Sequence, residues 1–250
     1  IVQPSDGDDS LPELPEDLPV LPIRNTVLFP GVVIPITVGR QKSIRLVKKA
    51  YKGDRIIGVV AQKNNKIEDP AFDDLFKVGT VAKIIKMLVL PDGNTTIIIQ
   101  GQRRFRMEGL VSEEPFLKVT HTLLEEGKLS DDIEEVVAIN QSLKEAANKI
   151  MKLNPEIPKE AQVAIDNIDN AAFLTHFLSS NINASVPEKQ GLLEVDHPKE
   201  RAEKLLKFML KDIQMLELKQ EIQNKVHSDI DQLQRDYFLR QQMKVLQDEL

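Results

Sequence analysis

From Lys199 to Leu250 the chain has neither proline nor glycine. At 1.5 Å per residue, an unbroken helix from Pro198 onward would be about 75 Å long. Acid-first pairs at four-residue spacing recur along it: Glu200/Lys204, Glu203/Lys207, Glu221/Lys225, Asp231/Arg235 and Asp236/Arg240. Each such pair supports an exposed helix by about 0.2–0.5 kcal/mol. Leu205, Phe208, Met209, Met215 and Leu216 give its beginning an apolar face to dock. Farther out, Leu218, Ile222, Val226, Ile230, Leu233 and Tyr237 step by 4, 4, 4, 3 and 4. That mean exceeds 3.5, so no regular left-handed heptad seam is expected. The second half is expected to run beyond the globular body.

The rest of the chain divides by pattern. Residues 1–17 carry six acidic and no basic residues, with prolines at 4, 12 and 15. Such a stretch buries too little apolar surface to offset its ordering entropy and reads as a disordered acidic tail. Residues 18–126 read mostly as strands: Leu18 to Ile23, Val32 to Val38, Arg55 to Ala61, Val78 to Leu90, Thr95 to Gln100, Arg103 to Val111 and Phe116 to Leu124. Pro35 marks its strand as an edge or a bulge. Pro91-Asp92-Gly93-Asn94 supplies the turn chemistry of a hairpin. One helix, with Ile44, Val47 and Ala50 on a face, interrupts the strands. Five to seven short strands around one helix predict a small closed or half-closed barrel.

Residues 127–197 read as an α-helical bundle. Ser130 is the expected N-cap of a helix carrying Ile133, Val136, Val137, Asn140, Leu143 and Ala147 at helical spacing. Asn154-Pro155 and Ile157-Pro158 break it, and Pro158 opens the next helix. Ala171 to Leu178 and Pro187 to Val195 are two more short helices. The expected fold class is therefore α+β: a barrel (18–126), a bundle (127–197) and a long helix (198–250).

Composition narrows the function. The 250 residues contain no cysteine, which excludes disulfides, thiolate zinc sites and cysteine nucleophiles. No membrane-length apolar run and no signal peptide is present, so a cytoplasmic location and no membrane partner are expected. The net charge of −6 disfavours nucleic acid as a partner of the whole. Arg103-Arg104-Phe105-Arg106 is a basic cluster with an aromatic inside it, the kind of feature that binds single strands. Strand alternation explains it more simply, with Arg104 and Arg106 on one face and Arg103 and Phe105 on the other. No P-loop and no Gly-x-Ser-x-Gly elbow occurs. His121, His176, His197 and His227 are scattered, without metal-ligand spacing. Asp73-Asp74 and Asp131-Asp132 read as helix starts. No catalytic residue and no metal site is expected.

The run Leu18-Pro19-Val20-Leu21-Pro22-Ile23-Arg24-Asn25-Thr26-Val27-Leu28-Phe29-Pro30-Gly31 resembles the opening of the Lon family of ATP-dependent proteases. Val33 to Arg40, Ser43-Ile44, Val78 to Ala82 and Gly101 to Phe105 resemble later signatures of that family. Arg235 to Leu250 is similar to its long-helix signature, with Phe238, Gln242 and Asp248 in place of the commoner Tyr, Glu and Lys. The resemblance covers about residues 18–250. It implies a PUA-like β-barrel, a helical bundle and a long helix leading toward an AAA+ ATPase ring.

The resemblance also implies a hexameric parent that unfolds proteins with ATP and Mg and cleaves them with a Ser–Lys dyad. Those groups are expected beyond Leu250, so this stretch would need no cofactor and perform no chemistry. Its implied role is to recognise unfolded or damaged polypeptide. The candidate contact residues are Phe29 and Pro30, in a loop between strands, and Met87, Leu88 and Leu90, near the hairpin. Met87 and Leu88 fit a core role equally well. A standalone substrate adaptor built on the same domain, and a PUA-like nucleic-acid module, remain the alternatives.

Overall fold

A computed structural model describes residues 14–90 and 95–248. Most of the expected acidic tail, residues 1–13, and the Pro91–Asn94 turn lie outside the described residues. Six strands form one sheet: β1 Leu18–Ile23, β2 Val33–Val38, β3 Ile56–Ala61, β4 Val78–Val89, β5 Thr95–Ser112 and β6 Lys118–Leu123. The strand order is β2-β5-β4-β3-β1-β6, and β6 also pairs with β5. Five strands therefore close a circuit of pairings, while β2 hangs from β5 as an edge. β1 and β3 are parallel, and every other pair is antiparallel.

The expected strands at Thr95–Gln100 and Arg103–Val111 are one strand of 18 residues. Gly101 continues it rather than ending it, because the chain crosses close behind that glycine. A Cβ there would sit 2.3 Å from the Phe29 carbonyl oxygen. β5 can then pair with β2 and β4 along its first half and with β4 and β6 along its second.

All six residues of β3 are buried, because both faces of this strand are covered. Ile57, Val59 and Ala61 join one apolar cluster, and Ile56 and Val60 join a second with Leu18, Val20, Leu75 and Phe105. Helix α1, Gln41–Lys52, lies after β2 and buries Ser43, Leu46, Val47 and Ala50. Its buried face is thus turned slightly from the expected one, with Ile44 at the margin.

The helical half consists of α2 Ile133–Leu153, α3 Lys159–Asp166, α4 Ala171–Asn181, α5 Val186–Leu193 and α6 Pro198–Asp248. The N-cap of α2 is Asp132, whose carboxylate accepts from Glu134 N at 2.9 Å. Ser130 instead accepts from Asp132 N and so supports the cap from outside. Ile133 and Val137 are exposed, and α2 packs through Leu143, Ala146 and Ala147. A capping box formed by Ser185 and Glu188 starts α5, with proline in its first turn. The larger apolar cluster runs without a break from Leu21, Ile57 and Ile99 in the sheet to Leu143, Leu174, Leu192 and Leu205 in the helices.

Helix α6 changes character along its length. Ala202, Leu205, Met209 and Ile213 are buried against the bundle. Met215, expected to dock, is exposed. Every residue from Glu217 to Lys244 is exposed. Among the described residues, no helix is long and apolar enough to cross a membrane.

Candidate functional site

The distal end of the β4–β5 hairpin presents apolar side chains to solvent. β4 carries a register shift between Ile84, opposite Ile99, and Lys86, opposite Ile98. The extra residue, Ile85, is a bulge, and a bulge re-aims the side chains beyond it. Ile85, Leu88, Val89 and Leu90 are exposed, and Met87 is partly buried against the core. On the facing strand Thr95, Ile97 and Ile99 are buried, so the exposed apolar surface belongs to β4.

Phe29 and Pro30 are not on this surface. Both are buried, Phe29 completely. Pro30 and Gly31 form a tight turn closed by Val32 N donating to Phe29 O at 3.3 Å. Gly31 has φ 75°, the left-handed value that glycine takes in a type II turn. The turn is tied to β5 by Gly31 N to Gly101 O and Gly101 N to Val32 O, both 2.9 Å. The buried Thr80 hydroxyl donates to Leu28 O at 2.6 Å. The Phe29 ring is thereby delivered beside His176 of α4, with centroids 6.1 Å apart. Phe29 joins the sheet to the helices and is unavailable as a contact for another chain.

The same junction holds a polar network that sequence reasoning missed. Arg104 and Phe105 are both fully buried although they are adjacent on β5. Phe105 enters the smaller apolar cluster, while Arg104 faces the helices. Its Nε lies 2.5 Å from Glu126 Oε1, and its Nη1 donates to Leu193 O at 2.9 Å and Val195 O at 3.1 Å. Arg201, in the first turn of α6, binds the other Glu126 oxygen at 2.9 Å and Val195 O at 2.6 Å. Asp196 lies 3.5 Å from Arg104. Two guanidiniums and two carboxylates therefore balance in charge at the meeting of β5, α5 and α6.

His176 Nε2 is 3.3 Å from Arg201 Nη1. Arginine only donates, so this nitrogen accepts and the ring proton is on Nδ1. Burial, then Arg201 and Arg104, push His176 well below its ordinary pKa and keep it neutral. Arg104, the centre of the suspected basic cluster, is thus withdrawn from any nucleic acid. Alternation correctly separated Arg104 from Phe105, but it could not reveal that helices cover the outer face there. Among the described residues no group of three or more His, Cys, Asp or Glu could hold a metal ion. The surface offers apolar contact and open clefts.

This arrangement of sheet, bundle and long helix is the fold of Lon N-terminal domains. The N-terminal domain of Mycobacterium avium complex Lon protease superposes with a TM-score of 0.62 at 19% identity, covering 77% of this chain and 97% of that one. The Lon N-terminal domain protein from Xanthomonas campestris gives 0.55 at 22%, covering 76% and 96%. Residues 17–211 match the family model of the ATP-dependent protease La (LON) substrate-binding domain, and the chain belongs to that family. Lon protease of Cytophaga hutchinsonii is 66% identical over 238 residues, which are 95% of this chain and 29% of the relative. Lon protease of Flavobacterium johnsoniae is 53% identical over the same length and shares. The chain spans less than a third of these relatives, and what it matches is the substrate-binding part rather than a catalytic one.

Proposed function

We propose that this chain is the client-recognition region of a Lon-type ATP-dependent protease and that its ligand is unfolded or damaged polypeptide. The observation that carries this reading is the exposed row Ile85, Leu88, Val89 and Leu90 at the end of a hairpin. Contiguous exposed apolar side chains mark sites of interaction, whereas single ones do not. An unfolded chain has apolar side chains to meet them. The closed circuit of five strands is read as a small PUA-like barrel, with residues 18–126, 127–197 and 198–250 as barrel, bundle and long helix.

In the parent, α6 would lead to an ATPase module using ATP and Mg, and six copies in a cytoplasmic ring would supply avidity that one weak patch lacks. The long helix would set the distance between the patch and the motor. The test is binding of a fluorescently labelled, permanently unfolded model protein to the 250-residue chain. Leu88→Asp and Leu90→Asp should weaken binding about tenfold together while leaving the circular dichroism spectrum intact. Unchanged affinity in the folded double variant would refute the assignment.

A further inference from the structure

A second feature lies away from the hairpin, between the end of β1, the edge strand β2 and the start of α1. An open cleft of about 550 Å³ has Arg24, Thr26, Thr37, Arg40, Ser43 and Glu68 in its lining. Two guanidiniums meet there on one neutral acceptor. Arg24 Nε lies 3.4 Å from Gln62 Oε1, and Arg40 Nη2 donates to the same oxygen. Gln62 is buried and fixed in that orientation by its amide, which donates to Ile67 O at 3.0 Å.

Neither arginine forms an ion pair among the described residues. Asp69, whose charge acts on Arg40, is held at 3.0 Å by Lys42, which also binds Glu114. Among the described residues lining the cleft Glu68 is the only carboxylate, against Arg24 and Arg40, so the lining has one positive charge in excess. Burial, and then the charge of Arg24, hold the Arg40 guanidinium below its ordinary range. An anion between the two would offset the repulsion between the guanidiniums.

The helix beside them is prepared for negative charge. Arg40 is the N-cap residue of α1 but makes no side-chain cap, and the first turn holds no acid. The orphan N–H groups of that turn point toward the cleft end of the helix. Ser43, 6% exposed, lines the cleft, and its hydroxyl has no hydrogen-bond partner among the described residues.

The open edge of β2 leads into this corner. Gly101 N donates to Val32 O, so by alternation Ile34 and Ile36 turn their backbone groups to β5. Val33, Pro35 and Thr37 turn theirs outward, and the N–H that Pro35 lacks falls on the open side. Among the described residues nothing pairs with that side. A segment added parallel to β2 would run into Arg40 and the α1 N-terminus just past Val38. It cannot continue there, but it can end there.

We propose that this cleft binds the C-terminal end of an extended polypeptide, with the backbone on the free edge of β2 and the terminal carboxylate between Arg24, Arg40 and Ser43. This rests on the client-recognition reading and adds a second, end-specific site to it. The probe is a fluorescein-labelled apolar octapeptide with a free C-terminus, measured by anisotropy against the 250-residue chain. A C-terminal amide, and an amide with one internal Glu, are the comparison peptides.

Amidation should weaken binding about tenfold or more, the worth of a charge-assisted hydrogen bond. Internal Glu should not restore it. Arg24→Gln and Arg40→Gln should each bring the free acid toward the amide without changing the amide. Thr37→Pro should weaken both peptides, because it removes an outward N–H and no backbone bond to β5; Thr37→Val, which loses only the 3.0 Å hydroxyl contact with Thr96, should leave both unchanged. Equal binding of acid and amide, or rescue by internal Glu, overturns the proposal. If the unfolded protein still binds through Leu88 and Leu90 in that case, the terminal site falls and the client-recognition reading stands. If neither probe binds, both fall.

Discussion

Replacing Arg104 with methionine probes the joint between strands and helices. Methionine keeps much of the apolar stem but loses every donor. The loss removes the 2.5 Å contact to Glu126 and the 2.9 Å bond to Leu193 O. Glu126 keeps Arg201, and Val195 O also keeps Arg201, so those partners are only partly orphaned. Hydrogen bonds to charged groups contribute about 1.5–3 kcal/mol each. Two such bonds give about 3–6 kcal/mol, which overlaps the roughly 3–5 kcal/mol lost when one member of a buried pair is removed. That is a large share of the roughly 5–15 kcal/mol that holds a typical domain together.

The chain has no tryptophan, so urea unfolding followed by far-ultraviolet circular dichroism is the suitable assay. Arg106→Met is the control: it lies two residues along the same strand and is exposed. It should shift stability by no more than about 0.5 kcal/mol. Equal effects at positions 104 and 106 would refute the reasoning, because the two share a face of β5 and differ in what covers it.

Three further outcomes are expected. His176 is neutral in the fold with its pKa well below 6.5, so protonation favours the unfolded chain. Its contribution is complete above about pH 6.5 and is lost as pH falls below that, with a slope approaching 1.4 kcal/mol per unit; His176→Gln should flatten the stability profile between about pH 6.5 and 5.5, and an unchanged slope would count against the neutral ring. Gly101→Ala would place a Cβ 2.3 Å from the Phe29 carbonyl. It should cost about 1–3 kcal/mol by overpacking, measured by thermal unfolding, and a neutral effect would mean that the Phe29 turn moves freely. Ending the chain after Leu216 removes a helix exposed from Glu217 to Lys244 and, among the described residues, one tertiary ion pair, Lys149–Glu217 at 2.7 Å. The melting temperature should stay within about 2 °C while helical signal drops, since such surface pairs are worth about 0–1 kcal/mol.

Local chemistry was readable wherever neighbours in sequence decide structure. The hairpin strands, the break at Asn154 to Pro158 and the uninterrupted α6 follow from turn residues, prolines and their absence. Features decided by distant chain were not readable. Phe29 sits in a loop-like stretch, but a type II turn locked to Gly101 carries it inward. The bulge at Ile85 depends on pairing register with Ile98 and Ile99, which no single strand displays. Arg104 read as one alternating member of a basic cluster because its partners Glu126, Leu193 and Val195 are up to 91 residues away. An arginine among neighbouring arginines on a strand, with an acid one strand farther along the chain, is too common a pattern to have signalled it.

Arg201 stands in the opening turn of α6, inside the buried network, while the same helix leaves the body after Leu216 without a break. The anchored portion is about 28 Å long and the free portion, through Asp248, about 48 Å. Such a rod is a lever with its fulcrum at the bundle. A tilt of about 10° at the anchor sweeps the far tip through about 8 Å, so a small repacking around Glu126 is magnified into a displacement wider than the protein's own strand spacing.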